Sequence, residues 1–380
     1  MNHLYPSIEH LRIQAHKKVP GFAMDYLESG CNEEINLKRN TQELREIQLI
    51  PHYIDGPEMV SLKTSLFGHE YDAPFGISPI GLQGLIWPGA SEILAKAAFE
   101  HNIPFILSTV GTASIEKIAE ITHGQAWFQL YHPAEERVTN ALLERAKNAG
   151  IQVLVLLTDV PTFGHRYKDM KNGLSLPPRM TFKNILQIMS RPDWAISTLI
   201  KGSPKFETML PYTPKGLNMK QLGYFMNKSF NGRITSEQIQ KIREKWKGKL
   251  IIKGVAGIQD VQKALKIGID GLLVSNHGGR QIDAGESSIQ SLLRVKDEID
   301  NQIPLMMDSG IRTGPDVVRS LAAGAQFTFL GRSMMYGVGA LGKKGGDHTI
   351  QLLKNQILQA MQQIGAQNIS KIPNHLVNDR

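Results

Sequence analysis

The chain predicts a (β/α)8 TIM barrel with an N-terminal helical extension and a long insertion after the fourth strand. Three observations carry this. Eight short apolar runs recur along the sequence, amphipathic segments of helical length separate most of them, and no G-x-G-x-x-G fingerprint follows the first run, as a doubly wound sheet would usually show. The runs are 75–80, 105–110, 127–131, 153–160, 250–255, 271–275, 304–308 and 327–331. The clearest helical segments between them are 91–101, 134–150, 257–268 and 314–324.

Residues 1–70 precede the first run and read as helices followed by irregular or hairpin structure, and 71–370 make the barrel. The spacing is regular except after the fourth run, where a gap from about 164 to 250 holds the insertion, taken as 172–235. Within it, 185–200 is apolar, carries Trp194 and is followed by lysines, a composition that suits a membrane interface. A lid or a dimer-contact helix packed on the barrel is the other reading. The whole chain, 1–380, is expected to be one domain.

Composition narrows the class. With 380 residues, 41% hydrophobic and 35 glycines, the chain can bury a large core. A single cysteine, Cys31, excludes a disulfide framework and fits a reducing compartment. No signal peptide and no span of about 18 apolar residues is expected. A net charge of +8 favours anionic partners: an acidic substrate, a phosphate or an anionic membrane surface. No nucleic-acid module accompanies that charge, and no metal-ligand spacing is present.

In this fold chemistry gathers at the carboxyl ends of the strands. Those ends read Pro79-Ile80-Gly81, Ser108, Gln129 with Tyr131, Asp159 with Arg166 beyond it, Lys253, His277 with Arg280, Asp308, and Gly331-Arg332. A purely structural barrel has little reason to set a polar group at nearly every upper end. The run Ser275-Asn276-His277-Gly278-Gly279-Arg280-Gln281 is the richest. Its imidazole can take a proton near neutral pH, and its guanidinium can grip a carboxylate through two parallel hydrogen bonds. A glycine-rich turn with a surface His and Arg is the plainer account. The loops Asp308-Ser309-Gly310-Ile311-Arg312 and Leu330-Gly331-Arg332 offer glycine amides and cations where barrels commonly hold phosphate. Lys253, a cation on a buried strand, needs an anionic partner. A phosphate site plus a separate cation suits flavin mononucleotide (FMN), with a sugar phosphate as the alternative. Cys31 is near no strand end, so a thiol nucleophile is not expected.

With these residues in place the chain resembles the FMN-dependent α-hydroxy acid dehydrogenase/oxidase family, from Asp25-Tyr26 to about Ile369. SNHGGRQ followed by Asp283 carries the resemblance, and DSGIRTG and LGR reinforce it. PIGLQG, LSTV, WFQLY and PTFGHRYKD look most like the bacterial FMN-dependent L-lactate dehydrogenases, which are membrane-associated and feed the respiratory chain. The resemblance implies His277 as catalytic base, oriented by Asp159. It implies that Arg166 and Arg280 hold the substrate carboxylate, with Tyr26 and Tyr131 hydrogen-bonding carboxylate or hydroxyl. Pro79, Ile80, Gly81, Ser108, Gln129, Lys253 and Ser275 would line the flavin ring and ribityl chain. The Asp308-Ser309-Gly310-Ile311-Arg312 run with Gly331 and Arg332 would hold the phosphate end. Three positions depart from the pattern. Leu157 stands where the family has a flavin-contacting Thr, Val110 where glycolate oxidase has Trp, and Gly81 where many oxidases have Ala.

The expected reaction is oxidation of an L-2-hydroxy acid, foremost L-lactate, to the 2-oxo acid, with electrons passed to a quinone. Rival expectations are an oxidase that reduces oxygen to hydrogen peroxide, a mandelate-type dehydrogenase, and a non-catalytic flavin-binding barrel. A homotetramer, peripheral on the cytoplasmic face of the cell membrane, completes the expectation.

Overall fold

Short parallel strands buried on both faces organise the molecule. The computed structural model describes residues 3–377 other than 55, 58, 175–178, 218, 231, 300 and 301. Of the expected insertion 172–235, then, 175–178, 218 and 231 lie outside the described residues, as do 1, 2 and 378–380 of the expected single domain.

The extension is three helices, α1 (Ile8–Lys18), α2 (Gly21–Glu28) and α3 (Ile35–Glu46), followed by the antiparallel hairpin β1 (Thr64–Leu66) and β2 (His69–Tyr71). Phe67 and Gly68 turn that hairpin at φ 55° and 82°, the left-handed pair that a two-residue connection demands. Eight parallel strands follow: β3 (Phe75–Ile77), β4 (Ile106–Ser108), β5 (Trp127–Leu130), β6 (Val153–Leu157), β7 (Lys249–Val255), β8 (Gly271–Val274), β9 (Leu305–Met307) and β10 (Phe327–Leu330). They pair in the order β3-β10-β9-β8-β7-β6-β5-β4, and an Ile77–Phe105 bridge brings the two ends together as a barrel. Strands are apolar on both faces because helices cover the outside. After β3 come α4 (Gln83–Ile86) and α5 (Ala90–Glu100). α6 (Ile115–Thr122) follows β4, and α7 (Glu136–Asn148) follows β5. α13 (Ile258–Ile267), α14 (Ser288–Ile299) and α15 (Gly314–Ala322) follow β7, β8 and β9; α16 (Arg332–Leu341) and α17 (Gly345–Ile364) follow β10.

Inside the barrel two layers succeed one another. The lower is apolar: Ile106, Trp127, Val153, Val155, Ile251, Leu273, Met306, Phe327 and Phe329 pack into one cluster with Leu66, Phe67 and Tyr71 of the hairpin, which plugs the amino end. Two residues further along each strand the same inward face carries Ser108, Gln129, Leu157, Lys253, Ser275 and Asp308. The barrel's polar layer is therefore as deeply buried as its core.

Between β6 and β7 run α8 (Tyr167–Lys171), α9 (Phe182–Met189), α10 (Pro192–Lys201), α11 (Met219–Phe230) and α12 (Ser236–Lys245). The apolar stretch 185–200 is two helices rather than one, because Pro192 cannot continue α9 but starts α10 well. Their inner face is fastened to the barrel. The indole of Trp194 donates to the carbonyls of Leu85 and Ile86 and meets Phe22 edge-on. Gln187 Oε1 accepts from Phe22 N at 2.8 Å, and Asn184 Nδ2 donates to Asn172 O at 2.9 Å. Their outer face is bare: Phe182 and Met189 are 74% and 73% exposed, Leu199 and Ile200 83% each. Lys183 and Lys201 are also exposed there. Among the described residues no helix is long and apolar enough to cross a membrane.

Candidate active site

At the carboxyl end of β8 the chain turns through three consecutive left-handed residues, His277, Gly278 and Gly279, at φ 58°, 67° and 73°. A non-glycine residue there is strained, and a buried asparagine cluster behind the turn holds it. Asn276 Nδ2 donates to the side-chain oxygens of Asn36 and Asn40 at 2.8 and 2.7 Å, and Asn40 Nδ2 donates back to Asn276 Oδ1 at 2.8 Å. Both partners lie on α3, which presses so close that a Cβ on Gly279 would sit 2.6 Å from Leu37 N.

The turn aims His277 into the barrel mouth. Its Nδ1 lies 2.9 Å from Asp159 Oδ1, and its Nε2 lies 3.3 Å from the Tyr131 hydroxyl. An ionised Asp159 accepts a hydrogen bond from Nδ1–H and thereby leaves Nε2 as the unprotonated nitrogen. Burial opposes charge on Asp159, but His277, Lys253 and the hydrogen bond from the imidazole hold its carboxyl below the usual range. Burial first, then the Asp159 charge, pushes the Tyr131 phenol up, so it stays a hydrogen-bond donor. Gly254, at φ 99° in the β7 bulge, makes room here: a Cβ would stand 2.5 Å from Asp159 Cβ.

Below the imidazole, Lys253 Nζ donates to Ser275 Oγ at 2.7 Å and stands 3.4 Å from Asp308 Oδ2 and 3.8 Å from Asp159 Oδ2. Ser78 donates to the same Asp308 oxygen. Leu157 pairs in register with Lys253, so an apolar side chain flanks the ammonium where a hydroxyl would otherwise stand; Thr158 instead bonds Lys253 O. Above, Arg280 donates Nη1 to the carbonyls of Tyr26 and Ser29 at 2.8 and 2.9 Å. Its Cζ is 5.1 Å from the Tyr26 ring centroid, and that of Arg166 is 5.8 Å away. Burial, then repulsion from Arg166, lowers the Arg280 guanidinium to about 10, a cost that a bound carboxylate would relieve. Gly81 sits beneath: a Cβ there would come within 3.0 Å of Val110 Cγ2 and 3.7 Å of the Tyr26 hydroxyl.

Across the mouth, Ser309 and Gly310 are left-handed at φ 73° and 81°. Ser309 Oγ accepts from Gly278 N and donates to Asp308, linking this loop to the His277 turn. Ile311 is buried, and Arg312 folds back on its carbonyl. Arg332 is occupied differently from a simple phosphate clamp: Nε, Nη1 and Nη2 donate to the carbonyls of Leu27, Gly278 and Ser29 at 2.9, 3.0 and 3.0 Å. Burial, then the Arg312 charge, lowers it to about 9.

The site thus brings together His277, Asp159, Tyr26, Tyr131, Arg166 and Arg280, over a floor of Gln129, Lys253, Ser275 and Asp308. It also contains residues that sequence reasoning passed over: Ser29, Ser78, Asp169 and the pair Asn36 and Asn40. Asp169 had a signal, standing one helical turn after Arg166 within the PTFGHRYKD run; the asparagines had none.

The residues present suit FMN. Asp159 Oδ2 is buried without a hydrogen-bond partner, the Gln129 side-chain amide makes no hydrogen bond among the described residues, and two mutually repelling guanidiniums, Arg312 and Arg332, flank glycine-rich loops. These groups would satisfy the edge of a polar ring system and a phosphate.

Comparison with known proteins agrees. A family model described as FMN-dependent dehydrogenase matches residues 15–379. The L-lactate dehydrogenase of Vibrio cholerae serotype O1 (strain M66-2) is 36% identical over 362 residues, 95% of this chain and 96% of that one. The L-lactate dehydrogenase of Pseudomonas syringae pv. syringae (strain B728a) is 37% identical over 95% of each. Among solved structures, the monotopic membrane protein (S)-mandelate dehydrogenase superposes with a TM-score of 0.93 at 31% identity, over 99% of this chain and 100% of that one. Mandelate oxidase superposes at 0.84 and 27%, over 99% and 98%.

Proposed function

Because the chain belongs to the FMN-dependent dehydrogenase family and is an FMN-dependent L-2-hydroxy acid dehydrogenase, we propose that it oxidises L-lactate to the 2-oxo acid with His277 as base, and passes the electrons to a membrane quinone. One observation carries the reading of the site. An imidazole tethered to a buried carboxylate sets its other nitrogen beside a tyrosine hydroxyl, and two guanidiniums gather on the neighbouring Tyr26 ring.

FMN, when bound, supplies the two-electron chemistry. The chain does the rest. Arg166 and Arg280 take the substrate carboxylate, Tyr26 and Tyr131 orient it and the hydroxyl, and Nε2 of His277 removes a proton. Asp159 stabilises the imidazolium so formed. Lys253, already between two carboxylates, offsets negative charge that develops on the floor of the site, with Pro79, Ile80, Gly81, Ser108, Gln129 and Ser275 around it. Gly310 and Gly331 amides with Arg312 hold the phosphate. Arg332 shares that task while its guanidinium secures the loops. Likeness in sequence to L-lactate dehydrogenases favours lactate. Likeness in structure to (S)-mandelate dehydrogenase favours an aromatic acid.

The bare outer face of α9 and α10, apolar with lysines at its margin, supports docking on the cytoplasmic membrane surface, where quinone is found. The likeness to a monotopic membrane protein points the same way. A homotetramer is the assembly proposed.

Anaerobic titration of the FMN-loaded protein with L- and D-2-hydroxy acids tests the reaction: bleaching by L-lactate ahead of L-mandelate is expected, and no bleaching by any acid refutes it. Peroxide formed at the rate of turnover in air would instead make it an oxidase. Flotation with anionic vesicles, lost in Leu199→Glu/Ile200→Glu, tests docking; wild-type protein left at the bottom of the gradient sinks it.

A further inference from the structure

The two guanidiniums assigned to the substrate come from loops after β6 and β8, and like charges do not assemble unaided. Arg166 lies at the start of α8 and Arg280 beyond the His277 turn. Between them stands Asp169. Its Oδ2 is 3.2 Å from Arg166 Nη1 and 3.9 Å from Arg280 Nη2, and its Oδ1 accepts from Ser29 Oγ at 3.0 Å. Only 4% of the residue is exposed.

An acidic residue in the first turn of a helix is commonplace, because the helix dipole favours it. Such residues point to solvent, and one turn of helix provides little dipole. Asp169 is instead buried, and these three partners of its carboxylate all belong to the mouth of the site. Burying a carboxylate is costly unless cations surround it, so this position is occupied for the arginines and not for α8.

We propose that Asp169 is a positioning residue for substrate recognition, bridging Arg166 and Arg280 from behind so that both point at one substrate carboxylate. This deepens the function proposed above and rests on it. The carboxylate does three things at once. It screens the repulsion between the guanidiniums, it fixes one N–H edge of each, and through Ser29 it registers both against the end of α2, which carries Tyr26. The neighbouring pair Asn172 Nδ2–Asp25 Oδ2, at 2.6 Å, fastens α8 to α2 a second time. Tyr26 then lies across both guanidiniums as a lid of fixed height. An asparagine in this place would keep the shape but turn an N–H donor towards a guanidinium.

The test uses FMN-loaded Asp169→Asn with L-lactate and, for binding alone, pyruvate by calorimetry. KM and the pyruvate dissociation constant should both rise roughly 10- to 100-fold, the range lost with a charge-assisted hydrogen bond. The limiting rate of anaerobic flavin reduction should stay within a few-fold of wild type, and its pH profile should not move. Unchanged or tighter binding overturns the inference, as does a loss confined to the limiting rate. If the variant fails to fold, Ser29→Ala removes one bond to the carboxylate and should raise both constants a few-fold; no change there overturns it equally. Wild type that no 2-hydroxy acid bleaches would sink the proposed reaction, while the pyruvate constants of wild type and variant would still decide the role of Asp169.

Discussion

The lower and upper halves of the barrel interior are built on the same strands with the same alternation and the same burial, yet they do opposite work. Below, Trp127, Phe327 and Phe329 stack at centroid distances of 5.3 to 5.4 Å and the hairpin closes the end. Above, two residues on, Gln129, Lys253, Ser275 and Asp308 are just as hidden from water, and Lys253 is held by Ser275 and Asp308. The lower layer is complete as it stands. The upper one has a buried carboxylate oxygen, Asp159 Oδ2, that accepts no hydrogen bond among the described residues, and is completed by a ligand.

The sharpest way to break this contrast is to remove the base. His277→Gln should leave FMN bound and slow flavin reduction by between about 10²- and 10⁴-fold, followed by stopped-flow absorbance; normal bleaching would take His277 out of the reaction. Next comes a matched pair. Phe329→Ala in the lower layer and Lys253→Met in the upper should each destabilise the fold by about 3–5 kcal/mol, read by denaturant unfolding. They should differ in cofactor: Phe329→Ala keeps FMN and its kinetics, whereas Lys253→Met leaves Asp159 and Asp308 uncompensated and releases it. Equal FMN retention would erase the distinction between the layers. Arg280→Lys should raise KM for the acid roughly 10- to 100-fold, since the forked donor set on Tyr26 and Ser29 is lost.

The smallest effect is in pH. Asp159 is held below the usual carboxyl range in the folded protein. It therefore contributes stability above the unfolded value near ~3.9, and that contribution drains away as pH falls through the folded value. Melting temperature should fall more steeply below about pH 4 in wild type than in Asp159→Asn; parallel curves would refute the pairing.

The alternation of strands and helices and the polar groups at the strand tops were legible because both follow from local periodicity. Counting by twos from Val153 reaches Asp159 and from Leu273 reaches His277 without any structure. What stayed hidden depends on chain segments far apart. Asn36 and Asn40 look like ordinary positions on an exposed amphipathic helix until α3 docks more than two hundred residues away in sequence. Arg332 was readable as a cation beside a glycine, but not as one turned onto three carbonyls. The break at Pro192 is readable in principle, since proline cannot continue a helix.

The docking of α3 has a consequence for how the protein is made. The strand that leads to His277, and the loop with Gly310, are translated more than two hundred residues after the α3 side chains that hold them, Asn36 and Asn40 for the first and Thr41 for the second. Early-emerging α3 must therefore wait on the ribosome with its buried face unsatisfied, and pairing so distant in sequence is slow. Flavin capture is thus a late event in biogenesis, and a nascent chain halted before the eighth strand of the barrel should emerge without colour.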